Sequence, residues 1–90
     1  MASRELNVDL VAADRQIWTG TAVQVIAKTT VGEIGLLSGH EPMLAILVPG
    51  QIRIKTGEGE SVTAETTEGG FLSLENNNLT LVVRDASLIS

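Results

Sequence analysis

The side chains able to do chemistry gather in one stretch, VGEIGLLSGHEPML at residues 31–44. It holds the only histidine, His40, with Glu41 beside it, Ser38 two positions before it and Glu33 upstream. Ser38, His40 and either Asp14 or Asp85 could be assembled on paper into a nucleophilic triad. The sequence has no GxSxG elbow to expose the serine, and almost any chain with these residue types permits such a drawing. A metal site is poorly supplied, because one histidine and no cysteine leave only carboxylates. No HxH, HExxH or calcium-loop spacing occurs. TGEGES at 56–61 is glycine-rich but lacks the lysine of a phosphate loop, and its glutamates repel polyphosphate. It reads as a hairpin turn. A carboxylate pair for glycosyl transfer would need sugar platforms, and Trp18 and Phe71 are the only aromatic residues. The expectation is no catalytic, cofactor or metal site.

What remains is a shaped contact loop. Gly39 permits backbone angles that other residues avoid. Pro42 fixes its own φ and biases Glu41 toward an extended conformation. A rigid loop loses little entropy on docking. The competing reading is a small ligand-binding domain that uses His40 and Glu41, which requires a concave pocket around the imidazole. A free-standing adaptor is the third.

Period-two alternation dictates the elements that hold this loop. Leu6, Val8 and Leu10 share one face of RELNVDLVA. Ile52 and Ile54 alternate with Gln51, Arg53 and Lys55. Val62 and Ala64 alternate with Ser61, Thr63 and Glu65. Leu79, Leu81 and Val83 alternate with Thr80 and Arg84. Successive strand side chains point to opposite faces, so each segment offers one face to a core. DRQ, TGT, TTVGE, SGHEP, VPG, TGEGE, TEGG and ENNN carry the residues expected where a chain bends. The run in HEPMLAIL is expected to be a buried strand. No helical spacing competes, and the predicted fold is all-β: one compact antiparallel β-sandwich of about eight to ten short strands over residues 1–90.

Composition narrows the partners. The net charge is −5, which a phosphate backbone repels, and stacking platforms are scarce, so no nucleic-acid binding is expected. The apolar run MLAILV is six residues, against the ~20 of a spanning helix. The N-terminus does not read as a secretory signal.

Three stretches resemble one family, the epsilon subunit of F-type ATP synthases (delta in mitochondria), in its N-terminal β-sandwich domain. They are LVAADRQIWTGTA at 10–22, VGEIGLLSGHEPMLAILVPGQIRI at 31–54 and GGFLSLENNNLTLVV at 69–83. The resemblance implies a non-catalytic rotor subunit that links the gamma subunit to the c-ring and couples proton flow to ATP synthesis. It implies a peripheral place on the cytoplasmic face of a bacterial plasma membrane, with no cofactor, small-molecule substrate or direct membrane insertion. It maps the ring-facing surface onto Val31, Gly32, Glu33, Ser38, Gly39, His40 and Glu41, and makes Leu37, Pro42 and Met43 candidates for the gamma contact. In that family a helical hairpin usually follows the sandwich. This sequence stops at ASLIS, directly after the last expected strand, so the inhibitory and nucleotide-binding roles of that hairpin are not expected of it.

Overall fold

The alternating segments form strands in the computed structural model, which describes residues 5–57 and 59–89. In chain order these are β1 (Leu6–Ala12), β2 (Gln16–Ala22), β3 (Gln24–Thr29), β4 (Gly32–Leu36), β5 (Met43–Leu47), β6 (Gly50–Lys55), β7 (Ser61–Thr66), β8 (Gly70–Glu75), β9 (Asn78–Val83) and β10 (Ala86–Leu88). They pair in the order β10-β7-β6-β3-β5-β8-β9-β1-β2, with β4 on the other side of β3. The sheet folds over where β3 and β5 share a single pair, Thr29 with Leu47. This gives one layer of β4, β3, β6, β7 and β10 and a second of β5, β8, β9, β1 and β2. The free edges approach each other where β10 comes beside β2. The predicted sandwich is therefore present, with ten strands. Its pairings among the described residues are antiparallel except β1 with β9, which run parallel. That exception arises because the first strand is inserted between β9 and β2.

The core is aliphatic, as the scarcity of aromatic residues requires. Leu6, Val8, Leu10, Val25, Leu36, Ile52, Ile54, Leu72, Leu74, Leu79, Leu81 and Val83 are all buried. Every residue assigned to a core face from alternation in β1, β6 and β9 lies there. In β7, Ala64 is buried and Val62 is packed half-buried against the core.

Three local expectations fail. TGT is not a turn: Thr19, Gly20 and Thr21 lie inside β2. A Cβ on Gly20 would lie 2.8 Å from the indole of Trp18. That glycine makes room for a ring packed along its own strand, which a turn rule cannot detect. MLAIL is a strand, but it is not buried on both faces: Leu47 is in the core, whereas Leu44 is 76% and Ile46 57% exposed. β5 lies between β3 and β8, its inner face meets the core, and nothing among the described residues covers its outer face. VPG likewise does not reverse the chain. β5 and β6 both run antiparallel to β3, so residues 48–49 carry the chain from one layer into the other.

Candidate partner-docking surfaces

The loop that follows β4 is set by its backbone. His40 N–H donates to Leu37 O at 3.3 Å, closing a turn. Gly39 takes φ +83, a value that favours glycine, and its N–H donates to Asn77 Oδ1 at 2.8 Å. Asn77 belongs to the tight β8–β9 turn, where Asn76 and Asn77 both have positive φ, 51° and 64°. Asparagine tolerates this region better than most residues. The carbonyl of Asn77 also accepts from Asn7 N–H at 2.7 Å. One asparagine thus ties together the loop, a hairpin and the start of β1. The loop is tied down by a contact that its own sequence does not contain.

His40 is exposed, and its Nδ1 lies 2.7 Å from Glu41 O. A carbonyl only accepts, so in the neutral ring the proton sits on Nδ1 and Nε2 faces outward as an acceptor. The carboxylates considered as its partners are engaged elsewhere. Asp14 and Asp85 lie 3.1 and 3.7 Å from the guanidinium of Arg15. Among the described residues no group of three or more His, Cys, Asp or Glu side chains converges on a possible metal position. The described clefts open elsewhere, on the outer face of β1, β2 and β9, on β5 and β8, and beside Trp18. His40 is exposed and lines none of these clefts, so they give no support to a pocket built on His40 and Glu41.

The family-derived contact residues separate in space. Val31, Gly32 and Glu33 lie at the start of β4, and Ser38, Gly39, His40 and Glu41 lie beyond its end. The strand between them is about 13 Å long, four steps of ~3.3 Å. The hairpin end sits beside β5, where Thr30 N–H donates to Ile46 O at 3.1 Å. The loop end sits on the β8–β9 turn. Val31, Glu33, His40 and Glu41 are exposed and Ser38 is half-buried. Of the other three candidates, Leu37 is 54% exposed and Pro42 is exposed. Met43 is packed against the core, opposite buried Leu74.

The structure adds a surface absent from that set. Leu44, Ile46 and Phe71 project from the outer face of β5 and β8, with Phe71 46% exposed. Ile46 is directly opposite Phe71, Phe71 opposite Val82, and Val82 opposite Val11. An apolar row therefore crosses four strands. It continues into the loop through Leu44, which lines one shallow cleft with Pro42 and Met43. Phe71 was legible: Leu72 and Leu74 face the core, so Phe71 must face out. Leu44 and Ile46 were not, because a strand apolar at every position carries no alternation to read.

The described residues thus form a sandwich with an exposed apolar row and a loop anchored on Asn77. Residues 5–89 match the family described as ATP synthase, delta/epsilon chain, beta-sandwich domain, and the chain belongs to that family. The chain is 49% identical over 84 residues to the ATP synthase epsilon chain of Streptomyces avermitilis, covering 93% of this chain and 67% of that one. It is 44% identical to the epsilon chain of Micrococcus luteus, covering 93% and 91%. It therefore spans about two thirds of the first relative and nearly all of the second. Among solved structures, a chain of the Euglena gracilis mitochondrial ATP synthase, described as OSCP/F1/c-ring, superposes with a TM-score of 0.90. The identity there is 21%, covering 98% of this chain and 56% of that one. A chain of the Tetrahymena thermophila central stalk and c-ring gives 0.75 at 18% identity, covering 97% and 69%. At those identities the two structures establish the fold.

Proposed function

We propose that this domain is a non-catalytic rotor module of a proton-translocating F-type ATP synthase, joining the gamma subunit to the c-ring. The observation that carries the reading is the apolar row from Leu44 through Ile46 and Phe71, continuous with the Asn77-anchored loop. An exposed apolar patch of this kind marks an interaction surface, and a stiff sheet beneath it transmits force without rearranging. The gamma subunit covers this row, with Leu37 and Pro42 at its margin. The ring side is met by Val31, Gly32 and Glu33 at one end of β4 and by Ser38, Gly39, His40 and Glu41 at the other. Exposed Glu33 would act more on orientation and encounter than on affinity. No helix among the described residues is long and apolar enough to cross a membrane. Its place on the cytoplasmic face of a bacterial plasma membrane would come from these partners.

Titration calorimetry of the full chain against its cognate gamma subunit tests this. The expected result is a saturable complex weakened about 10- to 100-fold by the double change Leu44→Ser and Ile46→Ser, as for central apolar contacts. Absence of binding by the unmodified chain, or equal binding by the variant, would overturn the assignment of this face.

A further inference from the structure

β4 pairs with β3 and with no other strand among the described residues. The direction of its backbone groups follows from hydrogen bonds on the far side of β3. Val48 N–H donates to Lys28 O, and Thr30 N–H donates to Ile46 O, each at 3.1 Å. Lys28 and Thr30 therefore point their backbone groups toward β5 and its continuation. Alternation turns those of Ala27 and Thr29 toward β4, where they meet Ile34 and Gly32. Gly32, Ile34 and Leu36 then face β3, and Glu33 and Gly35 direct their N–H and C=O groups outward. GEIGL carries no proline, no lysine and no bulge, and Glu33 is its single charge. The space above it is open. A Cβ on Gly32 would meet nothing within 4 Å, and one on Gly35 only Gln24 Nε2 at 3.5 Å.

We propose that this edge accepts a further strand, and that the strand it fits is β4 of a second copy, paired antiparallel about a two-fold axis through Ile34. That register places Glu33 of each copy opposite Gly35 of the other. These are the residues whose groups point outward, and each such pair exchanges both of its N–H···O bonds. Ile34 meets Ile34 across the axis, covering two side chains that are half-buried at the margin of the core. Val31 lies three residues before Ile34 and Leu37 three after, 85% and 54% exposed. The axis carries each Val31 toward the other copy's Leu37. Charge also agrees. Glu33 faces a glycine rather than a second carboxylate, and Lys28 lies opposite it on β3. An arbitrary extended segment would satisfy the hydrogen bonds but not this symmetry, which is what a self-complementary interface requires.

Five residues per copy form a small interface, so association is expected at about 0.1–1 mM rather than nanomolar. The surface is distinct from the Leu44–Phe71 face but shares Val31, Gly32, Glu33 and Leu37 with the ring and gamma contacts proposed above, so self-pairing and assembly into the rotor exclude each other. Amide hydrogen exchange of the whole chain by NMR, read in a dilution series up to about 1 mM, tests it directly. At low concentration the Glu33 and Gly35 amides exchange fast while those of Ile34 and Leu36 are protected. At high concentration Glu33 and Gly35 become protected too. Gly35→Pro removes the outward donor without touching the β3 ladder. Leu37→Lys removes an apolar flank outside the strand. Each moves the midpoint up by at least about 10-fold, to or beyond the end of the series, so the Glu33 amide no longer gains protection by about 1 mM (the outcome for Leu37→Lys stands even if Gly35→Pro folds poorly). Concentration-independent exchange at Glu33 and Gly35 overturns the proposal. So does protection that appears at Leu44, Ile46 and Phe71 instead, or unchanged association of Leu37→Lys.

Discussion

A few residues hold positions that chemistry of their own type alone can fill. Gly70 is one. A Cβ there would collide with the backbone of Val82 and Val83, the facing residues of β9. Gly69 has φ +77 and would press a Cβ into Leu47 O. Its N–H is bound by the hydroxyl of buried Thr66 at 3.0 Å. Gly70→Ala is expected to cost at least ~2–3 kcal/mol, because neither facing backbone can yield without breaking the ladder. Thr66→Val keeps the shape but leaves a buried donor unsatisfied, for about 1–3 kcal/mol. Urea unfolding of both variants checks this, and a loss under ~0.5 kcal/mol at either site would mean the backbone relaxes there. Asn77 invites a finer comparison. Asn77→Gly preserves the positive φ and removes only the side-chain acceptor for Gly39. The turn should survive while the Gly39 amide exchanges faster. Asn77→Ala loses both and should be the less stable of the two, by about 1–2 kcal/mol.

At the scale of the element, β5 shows where reading a sequence stops. Strand parity at Leu6, Val8 and Leu10, or at Leu79, Leu81 and Val83, is written into the chain because polar residues intervene. In MLAIL every position is apolar, and only the partner strands decide that Met43, Ala45 and Leu47 face in while Leu44 and Ile46 face out. The run was expected to be buried on both faces, since that is what a uniformly apolar strand usually means. A strand whose outer face is covered by another protein would have the same composition, which is what the proposed gamma contact requires of β5. The expected ring contacts were similarly incomplete as a picture. Their list along the chain does not show that residues 32–36 form a strand that separates Val31, Gly32 and Glu33 from Ser38, Gly39, His40 and Glu41. The split face gives a sharp contrast within one strand. Leu47→Ala removes a core side chain and is expected to cost ~2–5 kcal/mol. Leu44→Ser and Ile46→Ser, on the exposed face, should each stay within about 1 kcal/mol while weakening the docking of gamma. Equal destabilisation on both faces, measured by thermal unfolding, would mean that the apolar row is structural and not an interface.

For the whole molecule, the question is how a sheet whose path ends at β10 and β2 stays shut. β1 joins β9 from the far end of the sequence, so the second layer is complete only when the two chain ends have met. Such non-local pairing predicts folding in about milliseconds to seconds rather than microseconds. Trp18, packed half-buried against the core, is placed to report it by stopped-flow fluorescence. On the opposite side the seam between β2 and β10 has no ladder of its own. It is crossed by Arg15, whose Nη2 donates to Ala86 O at 3.2 Å. The same nitrogen lies 3.7 Å from Asp85. The ion pair is about half exposed and screened, so it contributes little. The bond to a main-chain carbonyl is the part that fixes β10. Arg15→Ala should therefore lower global stability by no more than about 1 kcal/mol. Locally, the Ile89 amide, bound to Thr63 O at 2.8 Å, should exchange much faster. The Leu79–Val83 amides should keep their protection, since they lie two strands into the closed layer. Higher salt should leave this pattern in place, because the controlling contact is a hydrogen bond and not the exposed charge pair. If Arg15→Ala instead lowers protection evenly from β10 through β9, the seam is not a separate unit, and closure of the sandwich is a property of the entire core.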